Sequence, residues 1–85
     1  MPNPRYVKGV RKERKIVNMA KAKGLIAFRS AGSHSPIDVC IIDMKNKWIR
    51  LVQCKSDNIS RNYKRELEHQ YAGLNGEFLC SFRVE

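Results

Sequence analysis

Residues 37–55 carry the pattern that most restricts the fold. An apolar, β-branched run over 37–42 leads into Lys45-Asn46-Lys47, and a second run over 48–55 returns from it. This is the signature of a β-hairpin whose tip lies at the polar triplet. A lone hairpin is marginal in water, so the rest of the chain must cover it. The covering material is limited, because 85 residues make a single domain, spanning 1–85, with one modest core.

Four further elements are legible around the hairpin. Residues 8–23 read as a helix without Pro and without Gly after Gly9, stopped by Gly24. Residues 25–29 form a short strand candidate, and 30–36, rich in Ser, Gly and Pro, a loop. Ser60 is placed to cap a second helix running to about Leu74, ahead of an Asn75-Gly76 turn, and 78–84 read as a closing strand. The order α-β-β-β-α-β predicts an α/β domain, one mixed sheet flanked by two helices.

The charge narrows the partner. Seventeen Lys+Arg against eight Asp+Glu give +9, which favours a polyanion, nucleic acid first and an anionic membrane surface second. The longest apolar run, 39–42 with Ile37 nearby, falls far short of the roughly 18–20 residues of a membrane span. The start, Met-Pro-Asn-Pro-Arg, lacks the apolar stretch of a signal peptide, so a cytoplasmic protein is expected. Cys40, Cys54 and Cys80 form no Cys-x-x-Cys pair and sit in apolar surroundings; they read as reduced thiols, which excludes a secreted disulfide scaffold.

Two residues break the apolar pattern. At about 100° per residue, Val10, Ile16, Val17 and Ala20 share one arc of the first helix, and Glu13 falls inside it. It is also the single acid among the first 37 residues. An inward carboxylate needs a partner, either a neighbouring base on the same helix or a position at the edge of the stripe. In the hairpin, Asp38 interrupts the first strand opposite the Gln53–Lys55 region of the second, so the three side chains can converge at one end of the sheet. A simple Asp38–Lys55 ion pair is the plainer reading of that arrangement. Glu13, Asp38 and Gln53 offer hard oxygens and Lys55 an amine, the groups that a Mg²⁺-assisted phosphodiester hydrolysis requires.

Lys8-Gly9-x-x-x-x-Glu13, Gly24-Leu25-x-x-Phe28-Arg29-x-x-Gly32-Ser33, Pro36-Ile37-Asp38 and Val52-Gln53-Cys54-Lys55 together resemble the PD-(D/E)xK nuclease superfamily, and within it the archaeal Holliday junction resolvases. The resemblance covers residues 8–56 and fades over the second helix, where Gln70 matches a helix Gln of relatives. It implies a restriction-endonuclease-like fold and a homodimer that cuts branched or four-way DNA with Mg²⁺ or Mn²⁺. Glu13, Asp38 and Gln53 would then be metal ligands, Lys55 the catalytic lysine, and Ser33 part of the active-site loop. The chain departs from the pattern twice: Ile37 separates Pro36 from Asp38, and Gln53 stands where an acid is usual, which removes one negative charge. Asp57 or Glu66 are candidates for the missing carboxylate.

Lys8, Arg11, Lys12, Arg14 and Lys15 on the first helix, and Arg61, Lys64 and Arg65 on the second, are candidate phosphate contacts. Arg29, Ser33 and His34 are candidate DNA contacts beside the site, and Trp48 and Tyr63 read as core or dimer-contact residues. No base-reading module is evident, which favours recognition of DNA structure over sequence. Two other readings remain beside the nuclease: a catalytically silent nucleic-acid-binding domain on the same fold, and a small basic RNA-binding protein.

Overall fold

The computed structural model describes residues 4–30, 35–55, 58–76 and 78–84, with side chains from residue 9 onward. Helix α1 spans Pro4–Ala22. It begins four residues before the expected start. Proline suits a first helical turn because its preset φ matches the helix and its missing N–H has no partner there anyway. The far end is closed as expected at Gly24, which sits at φ 81°, a left-handed conformation that glycine adopts without a Cβ clash. Leu25 N donates to Ala20 O at 3.1 Å and Gly24 N to Lys21 O at 2.9 Å, the paired bonds of a Schellman cap.

Three strands follow, β1 (Ile26–Arg29), β2 (Val39–Asp43) and β3 (Trp48–Val52), forming an antiparallel sheet in the order β1-β2-β3. Val39 pairs with Arg29 on one side and Val52 on the other; Asp43 pairs with Trp48. The hairpin tip is set by Asp43, which accepts from Asn46 N and Asn46 Nδ2, both at 2.9 Å. Lys47 completes the turn at φ 60°.

Strand alternation turns Ala27, Val39 and Ile41 toward α1, where they meet Val17 and Ala20 in a core whose centre, Val39, is 0% exposed. Ile16, Leu25, Trp48, Val52 and Cys54 pack around it. The opposite face carries Ile26 and Phe28 of β1, Cys40 and Ile42 of β2, and Ile49 and Leu51 of β3. Phe28 is 50% exposed and Ile49 49%. Among the described residues the sheet is thus covered on one face and bare on the other.

The C-terminal third departs from expectation. Helix α2 (Arg61–Gln70) is capped by Ser60, whose Oγ accepts from Tyr63 N at 3.1 Å, but it ends at Gln70 and a 3₁₀ turn, η1 (Ala72–Leu74), takes the chain on. Among the described elements it packs against η1 alone, and it buries no residue, so it is not a second layer on the sheet. Residues 78–84 form no strand: Phe78, Phe82 and Val84 are 65–91% exposed. Their alternating pattern is suited to a strand, but a strand exists only when an edge pairs with it. Without that fourth strand the sheet is wholly antiparallel rather than mixed. The described chain is therefore an α/β unit with a three-stranded antiparallel sheet and two helices.

Candidate functional site

One end of the sheet gathers most of the residues singled out from sequence. Arg29 ends β1, Asp38 precedes β2, and Gln53, Cys54 and Lys55 follow β3. The paired register ends with Val39 opposite Val52, short of the expected limits 37 and 55, so these residues lie at the sheet's end, past the ladder.

Glu13 reaches this end from α1. Arg29 Nε donates to Glu13 Oε2 at 2.9 Å, with the two side chains 31% and 16% exposed. The inward carboxylate thus has a partner, and it comes from β1 rather than from a base on its own helix. Strand alternation explains the encounter: Arg29 shares a face with Ala27, the face that α1 covers.

Asp38 is held differently. Its Oδ2 accepts from Cys54 N at 2.7 Å, while its backbone N donates to Val52 O at 2.8 Å and its carbonyl accepts from Ser30 N at 3.0 Å. Among the described residues the carboxylate is gripped by a backbone N–H, not by the ammonium of Lys55, which is exposed. Lys12 Nζ donates to Lys55 O at 2.8 Å and ties α1 to the chain segment that follows β3.

Cys54 lies beside Asp38, to which its backbone N–H donates. Burial pushes its thiol up from the ordinary range, the negative charges of Asp38 and Glu13 push it further, and Lys12 opposes them. The sequence reads Cys54 as a reduced thiol, and it is free here; the sequence does not show that the Cys54 N–H fixes Asp38. Cys40, on the bare face of the sheet, is pushed up by burial alone.

Each acid binds protein through one oxygen, leaving Glu13 Oε1 and Asp38 Oδ1 without a hydrogen bond among the described residues. Carboxylate oxygens, with an amide carbonyl such as that of Gln53, are the donor types a small divalent cation takes. The set is short of charge: among the described residues no group of three or more His, Cys, Asp or Glu side chains is placed to hold a metal. Glu66 lies exposed on α2, apart from this site. Asp57, Ser33 and His34 lie outside the described residues, as does the side chain of Lys8.

The remaining bases divide into two groups. Arg11, Arg14 and Lys15 are exposed on α1. Arg61, Lys64 and Arg65 line a shallow depression on α2 with Glu68, and α2 touches neither α1 nor the sheet. Trp48 packs on the core with the Arg50 guanidinium 4.9 Å from its ring centre, whereas Tyr63 is 43% exposed. Among the described residues no helix is long and apolar enough to cross a membrane. Comparison with models of protein families, with curated proteins and with solved structures finds no match for this chain.

Proposed function

We propose that this protein is a metal-dependent endonuclease acting on branched DNA inside the cell, a resolvase of the PD-(D/E)xK type with a restriction-endonuclease-like core. The observation that carries the reading is that Glu13, paired with Arg29, and Asp38, held by the Cys54 N–H, are both drawn to one end of the sheet, where Lys12 bonds the Lys55 carbonyl. The net charge of +9 and the exposed bases on α1 favour a phosphate backbone as partner.

Glu13, Asp38 and Gln53 would hold Mg²⁺ or Mn²⁺ through oxygen. When bound, that cation supplies charge neutralisation for the phosphate and acidifies the attacking water. Lys55 Nζ takes up a proton from that water in its amine form, or steadies charge on the phosphate oxygens as an ammonium. Water adds to phosphorus as the bond to the leaving oxygen breaks. Arg11, Lys15 and the bases of α2 orient the backbone.

A junction needs two symmetric cuts and each chain has one site, which argues for a homodimer. The bare apolar face around Phe28 and Ile49 supports a self-association surface. Sedimentation of Phe28→Lys as a monomer, against a dimeric parent, would bear this out; two identical profiles would remove it.

The deciding assay is cleavage of a synthetic four-way junction with Mg²⁺, comparing the parent with Asp38→Asn. Asparagine keeps an acceptor for the Cys54 N–H and removes the charge. Equal cleavage by both proteins would end the nuclease reading. The second reading, a silent DNA-binding domain, draws on Gln53 and on the pairing of Glu13 with a cation of the protein itself. It expects salt-sensitive junction binding without cleavage, indifferent to Mg²⁺.

A further inference from the structure

We infer that Arg29 is a positioning residue that occupies Glu13 in place of a divalent cation and has to release it before the metal site is complete. The inference rests on the metal-site reading above and gives Arg29 a role beyond that of a DNA contact.

The argument starts from charge. At the end of the sheet Glu13 is already neutralised by the guanidinium of Arg29, and Gln53 adds no charge. The Nε–Oε2 contact of 2.9 Å is a charge-assisted hydrogen bond, stronger than a neutral one. It is also partly shielded from water, with Glu13 only 16% exposed, so screening weakens it less than a surface pair.

Among the described residues Asp38 faces no such competitor. Its partner is the Cys54 N–H, a neutral donor, and an oxygen can keep that bond while its mate takes a cation. Glu13 is the ligand under contest. A dication set beside Glu13 also repels a guanidinium held against the same carboxylate, so metal and Arg29 disfavour one another at this residue. Their competition lowers metal affinity while the pair persists, and a metal that wins sets the guanidinium free at the edge of the site, where a phosphate oxygen is its natural acceptor. Metal and DNA then favour one another through Arg29, and by linkage the coupling runs both ways.

The opposite role predicts the opposite sign. If Arg29 held Glu13 in the orientation that a metal needs, removing it would weaken binding. The test is calorimetric titration of Mn²⁺ into the parent, Arg29→Met, Glu13→Gln, the Arg29→Met/Glu13→Gln double variant and Asp38→Asn. Arg29→Gln serves as a second substitution, with thermal melts identifying which variants are folded. The expected result is that loss of Arg29 tightens Mn²⁺ binding about tenfold, and that the gain disappears in the Glu13→Gln background. A Lys12→Met control, which removes a nearby charge that is bonded elsewhere, gives a smaller gain. Equal or weaker binding without Arg29, in a site that Asp38→Asn still abolishes, overturns the role of Arg29 and leaves the metal site standing. Absence of Mn²⁺ binding in every protein overturns both.

Discussion

β2 has an aspartate at or beside each end, and the two are put to different uses. Asp43 directs both carboxylate oxygens to Asn46, three residues on, and so builds the turn that joins β2 to β3. Asp38 gives one oxygen to a backbone N–H sixteen residues away and leaves the other available, beside the field of Glu13. Both interrupt an apolar run and both are at least half-buried. The difference lies in the range of the contacts. A carboxylate with a donor on each oxygen within its own turn is committed to that turn, whereas one held across the fold by a single donor keeps a whole oxygen for another partner.

The largest effect should separate the two ends outright. Asp38→Asn is expected to lower junction cleavage by about a hundredfold or more, the scale of losing a group that stabilises the transition state, while melting close to the parent. Asp43→Asn is expected to leave cleavage at the parental rate and lower the melting temperature. If the two variants exchanged these outcomes, the roles assigned to the two ends would be reversed.

Gln53→Glu sharpens the same contrast. A third carboxylate opposite Asp38 is expected to raise Mn²⁺ affinity about tenfold or more, because carboxylates outrank amides as ligands for hard cations. Unchanged affinity would remove Gln53 from the ligand set. Restored cleavage from an inert parent would instead identify a site weakened by the loss of one charge.

Two smaller effects follow from the titrating groups. Burial and the nearby acids raise the folded-state pKa of Cys54, so its contribution to stability is complete below the unfolded thiol pKa. That contribution fades as pH climbs from there through the folded value. Urea midpoints are expected to fall across this alkaline window in the parent and less in Cys54→Ser. A disulfide-exchange reagent at pH 8 should modify exposed Cys80 first and Cys54 slowly. For Asp43 the sign is reversed. The Asn46 backbone N–H foremost, then its side-chain amide, hold the Asp43 carboxyl below the usual range against an opposing desolvation. Its stabilisation is present above the unfolded carboxyl pKa and drains away as pH drops toward the folded one. An acid titration of Asp43→Asn should lack that component.

Much of this site was readable in advance, residue by residue. The 100° spacing that put Glu13 among Val10, Ile16, Val17 and Ala20 holds in α1, where Val17 and Ala20 are buried. Counting residues from the hairpin tip set Asp38 against the Gln53–Lys55 region, and the bond from Cys54 N to its carboxylate falls within that region. The partner of Glu13 was missed, although alternation of Ala27 and Arg29 carried the signal that Arg29 faces the helix. The Cys54 N–H was beyond reach, because a backbone donor leaves no trace in residue identity.

The amino-acid order by itself determined the local elements: a helix ended by Gly24, a hairpin tipped near Asn46, a helix opened by Ser60. Each depends on contacts within a few residues, where periodicity, capping and turn chemistry act directly. Only the tertiary structure decided which of these elements share a core. α2 and residues 78–84 have amphipathic or alternating patterns as clear as those of α1 and β2, yet they stay outside the core. A pattern states which face wants burial and leaves open whether any surface is within reach to bury it. Only the fold, likewise, brought Arg29 to Glu13 and Cys54 to Asp38, sixteen positions apart in each case, because such pairs form only where helix packing and strand register coincide.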